Sequence, residues 1–156
     1  MREIALSFVL VSAIAGAADL SPNQLEAADL SPSQLEKVMD NVSHEYTTCG
    51  AYFRVAAQVM ENSGETISRN EYLEAAKIAF NYAIAAAKIG RSDETALKVV
   101  KARSEIEIGA MLDEIDDHAA NVSLLNVKHA YRCQAAMQDI EAVIDDWSQK
   151  IKDRPQ

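Results

Sequence analysis

The sequence predicts an all-α protein, an up-down-up-down four-helix bundle in which helices one and four are cross-linked by a disulfide. Three observations carry this. Residues 35–60 place Leu35, Met39, Val42, Tyr46, Cys49, Phe53, Ala56 and Met60 at alternating steps of four and three. Residues 130–151 place Ala130, Cys133, Met137, Ile140, Ile144, Trp147 and Ile151 at steps of three and four. Such heptad seams belong to helices that lay one apolar stripe against neighbours. The third observation is that no stretch alternates with period two and no Asn-Gly or Asp-Gly hairpin signal occurs.

Helix one is expected over residues 32–61. Ser31 is its N-cap, Pro32 suits the first turn and Gln34 completes a capping box. Asn62, Ser63 and Gly64 end it. Ser68, with Glu71 three residues on, reads as the cap of helix two, over residues 69–89. That helix is rich in alanine, with Leu73, Ala76, Phe80, Ala83 and Ala87 on one stripe, so neighbours can approach closely. Gly90 is its stop. Ser92 caps helix three, where Asp93 and Glu94 favour the positive N-terminal end. Leu97, Val100, Ile108, Met111 and Ile115 mark its apolar face, and it fades near residues 119–122. Helix four is expected over residues 123–152. The short connections imply the up-down order.

Residues 1–17 have the form of a secretory signal peptide, with Arg2 before an apolar run and Ala15-Gly16-Ala17 as a small-residue cleavage site. Residues 18–31 form a duplicated leader. AADLSPNQLE at 17–26 and AADLSPSQLE at 27–36 match at nine of ten positions. Each copy writes the same helix start, but only the second leads into a long seam. The four-helix domain is then 32–153.

An exported chain with two cysteines favours a bond between them. Cys49 and Cys133 each sit mid-seam, and helices one and four are neighbours in an up-down bundle. The bridge would close a loop of over eighty residues, worth roughly 4 kcal/mol in the loop-entropy model.

The formal net charge is −9, with no Lys- or Arg-rich block. An acidic chain repels phosphate backbones, so no nucleic acid partner is expected, nor a membrane after signal cleavage. No nucleophile–base pair, closed metal set or phosphate loop is present, so the chain reads as non-enzymatic. Covalent haem would need Cys-x-x-Cys-His, which is absent, and no cofactor is expected. Asp113, Glu114, Asp117 and His118 form the one acidic run with i, i+4 pairs suited to a cation; a charge run of this kind is more often a solvated helix end. Tyr52 and Arg54 project off the first seam and are the candidate partner surface, since Tyr and Arg are enriched where proteins meet.

A small-residue signal end followed by a cysteine-bridged helical domain is similar to many small periplasmic proteins of Gram-negative bacteria. That class includes immunity proteins that neutralise toxins from neighbouring cells. The likeness has no diagnostic motif and assigns no residue a role. It implies a periplasmic or secreted protein acting through contact with another protein. The alternative is a carrier of a small ligand or metal, using the bundle core or residues 113–118.

Overall fold

The computed structural model of the protein describes residues 30–116 and 118–153. The expected signal peptide, all but the last two residues of the leader, and Asp117 lie outside the described residues. The described residues are helical, with no strand among them. The elements in order are α1 (Pro32–Asn62), α2 (Thr66–Ala87), α3 (Asp93–Glu114), a 3-10 turn (Ala119–Asn121), α4 (Val122–Leu125), a π-helical turn (Asn126–Ala130), α5 (Tyr131–Gln138) and α6 (Ile140–Lys152).

The start of α1 follows the sequence. Ser31 Oγ accepts from the Gln34 N–H while the Ser31 N–H donates to Gln34 Oε1 at 2.9 Å, a complete capping box. Leu30 and Leu35 stand at the two positions of a hydrophobic staple, and both pack on the core. Each fixes the angle at which the chain enters the helix.

From there α1 becomes the axis of the fold. Cys49, Gly50, Ala51, Tyr52 and Phe53 are all buried. Five consecutive residues exceed one 3.6-residue turn, so every side of the helix is covered. The main neighbours are α2, α3 and α6, and α4 and α5 touch it over smaller areas. One seam therefore understates α1, which carries apolar stripes toward three partners.

The closest approach is made by α2. Its buried residues are all alanine: Ala76, Ala79, Ala83, Ala86 and Ala87. Opposite them Gly50 lies against the ring of Phe80. The aromatic rings Tyr46 and Tyr82 meet at 5.2 Å, adding area that alanine lacks. The start of α2 differs from expectation. It begins at Thr66 with Glu65 as N-cap, and Ser68 makes no cap, because the turn at Gly64, with φ 77°, returns the chain earlier. Its end, near Gly90 at φ 82°, and the Ser92 cap of α3 follow the sequence. Helix α3 stops at Glu114, short of the expected end.

The disulfide is present. Cys49 in α1 and Cys133 in α5 are bonded with Cα atoms 5.3 Å apart, and both are about 1% exposed. One expectation fails. Residues 123–152 are not one straight helix. They divide into α4, the π turn, α5 and α6, with a break at Asp139, whose φ of −146° and ψ of 92° are extended. The Asp139 carboxylate caps α6, accepting from the Ala142 N–H at 2.9 Å. The seam residues keep their packing on the core across this break.

Candidate functional site: a notch at a bent helix

The break at Asp139 creates the most distinctive surface of the protein. Arg132, before the break, donates from Nε to Glu45 Oε1 at 2.8 Å. Trp147, beyond it, donates from Nε1 to Glu45 Oε2 at 2.7 Å. In a straight helix these two residues would stand about 22 Å apart along the axis. Sharing one carboxylate requires the chain to bend between them. Glu45 is the clasp that holds the two limbs, α5 and α6, against α1.

The clasp is well satisfied. The Glu45 side chain is only 9% exposed, yet both oxygens have donors and one donor is a cation. Burial pushes its carboxyl pKa up. The hydrogen bonds from Arg132 and Trp147, with the charges of Arg132 and Lys150, outweigh this and hold it below the ordinary 4.5. Lys150 pairs with Asp146 and lies 4.6 Å from the Trp147 ring centroid, a cation–π contact.

Between the two limbs lies an open notch of about 330 Å³. Its walls are Tyr131, Ala135 and Ala136 on α5 and Ala142 and Val143 on α6, with Glu45 beneath and Asp139, Asp146 and Lys150 around it. Tyr131 is 85% exposed. It also ends a run of exposed apolar residues, Leu124, Val127 and Tyr131, at steps of three and four. Large apolar side chains arranged together in water are the usual mark of a contact surface.

The π turn gives this run its inner support. Leu125 is fully buried, and both His129 and Ala130, four and five residues on, turn inward. A π turn accommodates an extra residue, and such turns recur at functional sites. Tyr52 secures it: its hydroxyl donates to Asn126 Oδ1 at 2.9 Å, and the His129 ring stacks on it at 5.8 Å.

That assigns Tyr52 a different place from the one expected. It is 1% exposed, so it does not form a surface with Arg54, which is exposed on α1. Burial pushes its hydroxyl pKa well above the usual tyrosine value. The reason is the multi-sided burial of α1, which takes residues beside the seam as well as on it.

The acidic run is dispersed. Asp113 and His118 are exposed, Glu114 pairs with Lys128 at 2.7 Å, and the His118 ring nitrogen sits against the Asp116 carbonyl. Among the described residues no three His, Cys, Asp or Glu side chains gather as a metal set. Asp117 lies outside them.

Sequence reasoning missed Glu45, Arg132 and Trp147 as a unit. One signal was available: Glu45 stands one turn before Cys49, and Arg132 adjoins Cys133, so a bonded pair of cysteines would bring opposite charges together. Leu124, Val127 and Tyr131 were also legible as an apolar stripe outside the seam. Compared with protein-family models, curated proteins and solved structures, the chain matches none.

Proposed function

We propose that the protein is exported and non-enzymatic, and that it acts by binding another protein through the notch and the adjoining Leu124–Val127–Tyr131 stripe. The role is that of an inhibitor or immunity protein, which works by covering a partner. The observation that carries this is the exposed apolar run leading into a shaped notch beside the Glu45 clasp, both of whose oxygens hold donors. A surface held by such contacts has less ordering to lose on binding.

Export to the periplasm or beyond is supported by the form of residues 1–17 and by the disulfide, which persists in oxidising compartments. No described helix is long and apolar enough to cross a membrane. The short connections after α1 and α2 support an up-down order for the first three helices, with α4 to α6 in place of a single fourth.

The test compares tagged wild-type protein with Val127→Asp and Tyr131→Ala, purified from the native cell envelope. Both positions are exposed, so the melting temperature should stay within about 2 °C of wild type. A discrete partner retained by wild type and lost by both variants is the expected result. An identical set of retained proteins in all three would overturn the assignment of this face. A saturable rise in melting temperature with divalent cations would instead favour the carrier role.

A further inference from the structure

We propose that the partner presents a cationic segment to the notch, with an apolar side chain seated against Ala135, Ala142 and Val143 and a lysine or arginine at Asp139. This rests on the contact reading above and adds the chemistry of what is contacted.

The charges lining the notch decide the sign. Glu45, Asp139 and Asp146 face Arg132 and Lys150. Glu45 takes Arg132, and Asp146 takes Lys150. Asp139 is left without a cationic partner among the described residues. It is exposed, and its carboxylate accepts from the Ala142 N–H, a neutral donor. The cap to α6 offsets part of this charge, and a neutral or acidic occupant would strip the hydration from the rest. A cation would supply the offset at the mouth of the notch, where contact is beginning.

The same arithmetic argues against the two occupants that the chain itself could supply. A second copy carries a formal charge of −9. The leader, residues 18–29, carries Asp19, Glu26 and Asp29 and no Lys or Arg. Either would bring like charge to Asp139. The apolar half of the occupant follows from the walls, which are alanine and valine with Tyr131 at the edge. Tyrosine buries a ring at low entropic cost and is enriched at interface centres.

The experiment places a photoreactive benzoyl-phenylalanine at Tyr131 of the full-length protein in its native host. A control places it at Lys77, which is 68% exposed on α2. Adducts are sequenced by mass spectrometry. The expected result is a discrete adduct at position 131, absent at 77, on a segment with Lys or Arg within one helical turn. Its yield should fall roughly threefold in high salt and with Asp139→Asn, which removes the charge but keeps an N-cap side chain. An adduct on an acidic or neutral segment, unmoved by Asp139→Asn, overturns the cationic partner and leaves the contact reading standing. An adduct on a second copy or on the leader also overturns it. No adduct at 131 above the level at 77 overturns both.

Discussion

The indole N–H of Trp147 donates to Oε2 of Glu45 at 2.7 Å, joining positions 102 residues apart in sequence. With Arg132 on the other oxygen, this contact ties the last helix to the first. Glu45→Ala should therefore leave a half-buried indole N–H without its acceptor, while the largely exposed Arg132 guanidinium can turn to water. The expected cost is about 2–3 kcal/mol, read as a lower urea midpoint at unchanged slope. Glu45→Gln keeps an acceptor for one donor and should cost less. Equal loss from both would show that charge alone holds the bend.

The pH dependence follows with a definite sign. The Glu45 pKa is depressed in the fold, so between the depressed value and the ordinary 4.5 the unfolded chain binds more protons. Its contribution is complete above that window and lost as pH falls through the folded pKa. The His129 pKa is also depressed. Burial is the main cause and Lys128 and Arg132 add to it, while Glu114 and Glu107 oppose. Its contribution declines as pH falls from 6.5 toward the folded value and levels off below. Melting temperatures measured against pH should lose the upper decline in His129→Gln and the lower one in Glu45→Gln. Curves parallel to wild type across both windows would refute the assignment.

The Cys49–Cys133 bond spans 84 residues. Breaking it should cost roughly 2–4 kcal/mol, a fall in melting temperature on the order of 10 °C. Cys49→Ala and Cys133→Ala should match each other and the reduced protein, and the double variant should be no worse, since one bond is lost in each. Thiol titration of the unreduced, unfolded protein should find no free thiol.

Two helical glycines should respond in opposite directions to alanine. A Cβ on Gly50 would stand 2.7 Å from the Phe80 ring, so Gly50→Ala must displace that half-buried ring or part α1 and α2. Overpacking of about 1–3 kcal/mol should exceed the gain in helix propensity of about 1 kcal/mol. At Gly109 a Cβ meets nothing within 4 Å, and Gly109→Ala should raise stability by up to about 1 kcal/mol. Thermal melts of the two variants decide this; a stabilised Gly50→Ala would mean the Phe80 ring turns aside at little cost.

At the N-terminus of α1, Ser31→Ala removes the acceptor for the Gln34 N–H and should cost about 1 kcal/mol. The identical sequence at Ser21 should not compensate, because Pro32 would interrupt any helix continued from it. A melting temperature unchanged by Ser31→Ala would show that the start of α1 can be supplied elsewhere.

The sequence by itself determined which residues of the two seams face inward, though Leu97, expected on the apolar face of α3, is exposed because that helix packs on one side only. The seams through Cys49 and Cys133, the capping box at Ser31 and Gln34, the Ser92 cap and the stop at Gly90 are all local patterns, set by the helical repeat and by turn chemistry. They also placed both cysteines on apolar faces, which made the bond legible. What they did not contain is the course of the helix axis. Ile140, Ile144 and Trp147 follow Met137 at the same three-and-four spacing whether the chain runs straight or turns at Asp139, because periodicity records a face and not a direction. Only the tertiary structure decides that, through Glu45, which is close to Arg132 and Trp147 in space but 87 and 102 residues away in sequence. Tyr52 was misplaced for a related reason: a single seam describes a helix with one packed side, and α1 around Cys49 to Phe53 is packed on several. The notch is thus a property of the fold, formed where a distant carboxylate holds a bend that local preference permits but does not require.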